Sequence, residues 1–188
     1  MSLKKLIKQN ASTVMGIDSS TNSMAFCLLG EKPIKWGKIN FHGNNIYEKV
    51  IDCHKKITFI KENIEPDYIC IESAIMVRSQ AVAIHMAMIV GVLVAELAPN
   101  ENRIITVPPS AWQNYIGNKN LSKEEKAAIK KEHPDKKDTW YRNYSRELRK
   151  KRTLDYFNNK FNTKLDDHDV GDAFGLAYYA YKNLVNNG

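Results

Sequence analysis

The 188 residues, 43% of them hydrophobic, are enough to bury one sizeable domain and short for two. Three cysteines, Cys27, Cys53 and Cys70, have no metal-ligand spacing and leave one unpaired, which excludes a disulfide scaffold and predicts reduced core thiols in a cytoplasmic, intracellular setting. The net charge of +7 is confined to residues 119–152, where thirteen Lys and Arg meet six Asp and Glu; the rest of the chain holds 15 of each sign.

In chain order, residues 1–13 include Lys4, Lys5 and Lys8 but lack the apolar core of a secretion signal or anchor. They are read as a flexible N-terminal arm, with 14–188 as a single domain. An apolar run predicts a buried strand over about 14 to 18, ending in Asp18 before the polar turn Ser19-Ser20-Thr21-Asn22. Strands follow over about 23 to 29 and 34 to 41, joined by a hairpin turn at Gly30-Glu31-Lys32-Pro33. A helix over about 45 to 63 leads to Tyr68-Ile69-Cys70-Ile71, a fourth strand that ends in Glu72.

Ala81 to Ala98 is mostly apolar but contains His85 and Glu96 and stops at Pro99, and a membrane helix uses about twenty residues. It is therefore read as a helix buried on most sides, against the sheet or a partner subunit, with no membrane involved. A fifth strand over 103 to 107 precedes a short helix opened by Pro108-Pro109-Ser110 and closed by Gly117-Asn118. The basic segment 119–152 reads as helical pieces broken near His133-Pro134, and a last helix covers about 167 to 185. Three strands followed by alternating helices and strands predict an α/β fold, a mixed five-stranded sheet flanked by helices.

Asp18, Glu72, Asp169 and Asp172 are the candidate site. An acid at a strand end is commonly a cap or turn residue, and the Asp169/Asp172 pair, three apart on one helix face, also suits the positive end of a helix. Brought into one cleft, however, four carboxylates would repel one another unless Mg²⁺ or Mn²⁺ joined them, and paired ions of that kind activate water at a phosphodiester. Asp166, Asp167 or His168 remains open as a replacement for Asp169. The basic segment, with Trp140, Tyr141 and Tyr144 interleaved, suits a polyanion with stackable bases; a solvated helical hairpin is the plainer reading.

The order of these pieces resembles the RuvC-type Holliday junction resolvases of the ribonuclease H-like superfamily, in a phage or poxvirus-like branch. The matching residues are Gly16-Ile17-Asp18, Ile71-Glu72, Pro109-Ser110-Ala111-Trp112 and Leu165 through Phe174, including Asp169-Val170-Gly171-Asp172. Lys150-Lys151-Arg152 before Thr153-Leu154-Asp155-Tyr156-Phe157 is similar to a basic helix start in viral members. The resemblance spans about 14 to 184 and implies a ribonuclease H-like fold. It also implies a homodimer that nicks a four-way DNA junction on two strands of like polarity, leaving 5′-phosphate and 3′-hydroxyl ends.

By the same resemblance Asp18, Glu72, Asp169 and Asp172 hold two Mg²⁺, and the apolar helix at 81–98 is a candidate for the dimer interface. Lys119, Arg142, Arg146, Arg149, Lys150, Lys151 and Arg152 are the expected DNA contacts. The chain departs from the bacterial pattern in having Ser19-Ser20-Thr21 where a glycine follows the first Asp. Ile75 and Met76 stand where some members place an apolar wedge. For a viral chain the host cell compartment would be the location.

Other classes remain. Gly16 through Ser23 is similar to a first phosphate loop of actin-like ATPases and sugar kinases, but that architecture needs two lobes and a second loop. A catalytically silent DNA-binding module would use only the basic segment. Within the nucleases, RNA/DNA hybrid and other branched DNA are alternative substrates for the same chemistry.

Overall fold

A computed structural model describes residues 12–73 and 79–185. Strand β1 (Val14–Ser19) lies at the centre of a five-stranded sheet of order β3-β2-β1-β4-β5. It pairs antiparallel with β2 (Ser23–Leu29), which pairs antiparallel with β3 (Pro33–Asn40). On its other side it runs parallel to β4 (Tyr68–Glu72), which runs parallel to β5 (Ile104–Val107). The helices are α1 (Ile46–Lys61), α2 (Gln80–Leu97), α3 (Pro109–Tyr115), α4 (Lys123–Glu132), α5 (Asp138–Phe161) and α6 (His168–Ala180). A π-helical turn, Tyr181–Val185, follows α6.

Alternation along β1 divides the interior into two layers. Val14, with Ala25, Cys27 and Cys70, packs under α6 and α5 among Trp112, Phe157 and Phe174. Met15 and Ile17 turn the other way, onto Cys53 and Ile57 of α1 and Ile89 and Leu93 of α2. Cys27, Cys53 and Cys70 are all buried free thiols. Thr13, placed at the end of the expected arm, is buried; its N–H and hydroxyl donate to Asp67 Oδ2 at 2.8 and 3.0 Å. Residues 1–11 of that arm, like Ile75 and Met76, lie outside the described residues.

Two glycines set how closely α6 can lie on the sheet. A Cβ on Gly16 would fall 2.2 Å from the Ala173 carbonyl oxygen, so β1 and α6 meet backbone to backbone. A Cβ on Gly175 would strike the Trp112 ring at 2.3 Å, which lets α3 press its indole onto the same helix. Any other residue at either position would force the layers apart.

Two local expectations change. Lys150-Lys151-Arg152 does not start a helix but lies inside α5, because no proline or glycine interrupts residues 138–161 and the stop comes only at Asn162, left-handed at φ 53°. The helix α2 is buried along one stripe, not on most sides. Ile89, Leu93 and Leu97 are enclosed, while Val82 and Ile84 remain 45% and 54% exposed. Its apolar residues run around the whole helix, but within one chain α1 and the sheet reach only one face.

Candidate active site

The sheet register places the first two acids. Asp18 pairs with Ala25 of β2, and Ala25 with Lys38 of β3. One step beyond the pair Ile17/Ile71, Glu72 follows beside Asp18 and is itself paired with Val107. A row across the sheet therefore reads Lys38, Ala25, Asp18, Glu72, Val107, with side chains on the face that α6 covers. The contact at Gly16 then delivers the first turns of α6, with Asp169 and Asp172, to the same end of β1.

The electrostatics show that the four carboxylates share one field. Asp18 is pushed up to about 8, first by burial and then by Asp172, Asp169 and Glu72, with only Lys38 opposing. Asp172 is pushed up to about 7, by burial first and then by Glu72 and Asp169, against Lys150 and Arg146. Glu72 is raised by burial, with the Trp112 indole favouring its charged form. The Trp112 Nε1 is buried and lacks a fully formed hydrogen bond, so that pull is exerted across a contact short of bonding geometry. Among the described residues, the cations beside these acids do not offset the burial and mutual repulsion that raise them.

Residues 166–168 take other parts. Asp167 is the N-cap of α6: its Oδ1 accepts from the N–H groups of Asp169 and Val170 at 2.8 and 3.2 Å. Partial burial would raise its pKa, but the bonds from Lys38 and these two amides outweigh that and hold it low. Asp166 is exposed. His168 Nε2 lies 3.7 Å from Glu147.

Lys38, which the sequence did not single out, bridges Asp167 and Asp169 at 3.1 and 2.5 Å. Its own pKa is raised, first by the bond to Asp169, against desolvation, and next by the bond to Asp167. Among the described residues no three His, Cys, Asp or Glu side chains converge into a finished metal cage; Asp169 is turned to Lys38 instead. The donor set nevertheless fits a hard divalent cation, being all carboxylate oxygen and short of positive charge.

The expected DNA contacts separate. Arg146 and Lys150 lie near enough to Asp172 to lower its pKa. Lys119, Arg142 and Lys151 are exposed. Arg152 is tied to Glu125 of α4 at 2.6 Å, and Arg149 donates to Gln113 of α3. Trp140 and Tyr144 stack on each other at 4.9 Å, with His133 against both, closing the α4–α5 hairpin in place of standing free. Below them Asn118 donates to the Arg149 carbonyl and to Thr153, anchoring the loop between α3 and α4 on α5.

No family model matches the chain, and no curated protein matches it in sequence. Among solved structures it is similar to Thermus thermophilus RuvC in complex with a Holliday junction substrate, at 11% identity and a TM-score of 0.61, over 89% of this chain and 91% of that one. A second Thermus thermophilus RuvC structure gives 12% identity, a TM-score of 0.58 and coverage of 89% and 92%. The yeast mitochondrial Holliday junction resolvase Ydc2 gives 13%, 0.50, and 94% and 82%. The fold is thus similar to that of these RuvC structures, a mixed five-stranded sheet flanked by helices.

Proposed function

We propose that the protein is a divalent-metal-dependent endonuclease that resolves four-way DNA junctions by paired nicking, acting as a homodimer. The observation that supports this most is the convergence of Asp18, Glu72, Asp169 and Asp172 from β1, β4 and α6 into one undercompensated field. The likeness of fold to RuvC bound to a junction favours branched DNA as the substrate.

Asp18, Glu72, Asp172 and Asp169 would hold Mg²⁺ or Mn²⁺, two ions per site, with Asp169 exchanging its bond to Lys38 for one to metal. The chemistry such ions supply when bound is a water acidic enough to attack at neutral pH and stabilisation of the departing 3′ oxygen. The Trp112 indole favours the charged form of Glu72 against the burial that raises its pKa. Arg146 and Lys150, beside Asp172, place positive charge where a phosphodiester must approach acids that would otherwise repel it. Lys119, Arg142 and Lys151 are free to track the backbone, whereas Arg149 and Arg152 position α5 on α3 and α4.

The exposed apolar side of α2 would pair with its copy about a two-fold axis, presenting two sites to one junction. Buried thiols in no disulfide suit a reducing, intracellular location. The deciding experiment incubates labelled four-way junction, linear duplex and RNA/DNA hybrid with Mg²⁺ or EDTA. Symmetric, Mg²⁺-dependent nicking of the junction that disappears in Asp18→Asn is expected. Preferential cutting of hybrid would sink the junction reading, and ATP hydrolysis without DNA cleavage would sink the nuclease itself.

A further inference from the structure

Between α4 and α5 lies a cavity of about 370 Å³, within the range of pockets that bury small ligands. Lys126, Lys130, Arg142, Arg146 and Arg149 line it, and among the described residues no carboxylate does. Five cations around one concavity repel one another and focus positive potential into it. Arg149, one of the lining residues, has its Nε enclosed and without a hydrogen-bond partner among the described residues, although its Nη2 is engaged by Gln113. A buried donor left unsatisfied is costly unless a ligand or solvent completes it.

The rest of the lining is not what a bare phosphate would need. Leu121 and Ile129, 5% and 9% exposed, are apolar. The Tyr141 ring forms part of the wall, fixed by its hydroxyl donating to the His133 carbonyl, with Lys130 5.5 Å from its centroid. A flat ring against apolar side chains, with cations around it, matches a nucleobase joined to its phosphate.

Position gives the cavity a role. Arg146 lines it and also lies within electrostatic reach of the Asp172 carboxylate, so cavity and carboxylates share a residue. We propose that this cavity is a nucleotide subsite that captures an unpaired deoxynucleotide of the strand being cut, base against Tyr141 and phosphate among the arginines. This rests on the reading of the protein as an enzyme of DNA strands. Branch points supply such unpaired nucleotides at lower unstacking cost than continuous duplex, so the subsite would favour branched substrates without reading their sequence.

The test uses full-length Asp18→Asn protein and photocrosslinking to a single-stranded oligonucleotide, and to a four-way junction, each carrying 5-iododeoxyuridine. The adduct is located by peptide mass spectrometry. An adduct at Tyr141 is expected, competed by thymidine monophosphate but not by poly-glutamate of equal charge. Adding Ser145→Trp, which fills the cavity from α5, should reduce the adduct by about tenfold or more, and Arg142→Glu on the exposed rim by a similar factor. Adducts elsewhere, an unchanged Tyr141 adduct in both variants at wild-type melting temperature, or stronger competition by poly-glutamate would overturn the proposal. Cleavage of junctions by wild-type protein without a Tyr141 adduct would remove the subsite and leave the nuclease; the adduct without any cleavage would do the reverse.

Discussion

Lys38 Nζ lies 2.5 Å from Asp169 Oδ2, so a cation that the chain itself supplies, from an early strand, sits on the carboxylate that the last helix contributes. In the proposed site a metal would therefore compete with the lysine for one oxygen. The Lys38 and Asp169 side chains are 29% and 40% exposed, and such pairs are worth about 0.2–1 kcal/mol. Lys38→Met should accordingly tighten Mn²⁺ binding by about two- to fivefold, measured by calorimetry or Mn²⁺ resonance in the absence of DNA. Weaker Mn²⁺ binding in the variant would show that Lys38 assembles the site instead of competing within it.

Asp18→Asn keeps the shape of the centremost acid and removes its charge. Cleavage should fall by about 10²–10³ or more, the scale of losing one electrostatic stabiliser in an enclosed site. Junction binding in Ca²⁺, measured by anisotropy, should persist. Loss of binding together with cleavage would assign Asp18 to substrate recognition.

Metal-free stability should fall with rising pH. Asp18 moves from an ordinary 3.8 to about 8 on folding, and Asp172 from 3.8 to about 7. Between those values the folded state binds more protons than the unfolded one, so its stability declines as pH rises through the window. The penalty is absent below about 3.8 and complete above about 8. In EDTA the melting temperature should drop between pH 5 and 8.5, by about 2–4 °C for each ~1 kcal/mol in a domain of this size. Mg²⁺ should restore more at pH 8 than at pH 5.5, and Asp18→Asn should flatten the slope. A wild-type slope identical to that of Asp18→Asn would contradict the shared field.

The arginines of α5 should divide by partner. Arg146→Ala and Lys150→Ala, at the acids, should each reduce the slope of log K against log salt by about one contact. Arg152→Ala, whose guanidinium is bound to Glu125, should lower the melting temperature and leave that slope unchanged. Equal slopes for all three would mean that Arg152 leaves Glu125 to meet a phosphate.

Ile84→Glu places a charge on the exposed side of α2. In light scattering the wild type is expected at twice the chain mass and the variant at the chain mass, with symmetric nicking reduced to single nicks. A monomeric wild type would remove α2 as an interface.

The sequence announced Asp18 and Glu72 because each closes an apolar strand with a charge, and Asp172 because it sits one helical turn into an apolar helix. These are local patterns, and they sufficed to place β1 to β5 within one or two residues of their observed ends. Lys38 was invisible for the opposite reason. Its neighbours Lys35 and Ile39 give no hint of which face is buried, and only the pairing Asp18/Ala25/Lys38 puts it beside the acids. The tie of Arg152 to Glu125 and of Arg149 to Gln113 likewise depends on how α5 crosses α3 and α4, which no charge run encodes. The exposure of α2 was misjudged because composition reports how apolar a helix is, not how much of it a single chain can cover.

The backbone contact between Gly16 and Ala173 also has a temporal side. It joins the beginning of the chain to its last helix, and without it Asp18 and Glu72 have no partners from α6. On the proposed function, a chain still emerging from the ribosome owns half a set of acids, and hydrolytic competence would arrive only when synthesis has passed residue 172. For the proposed nuclease, late docking of α6 would act as a built-in safety catch.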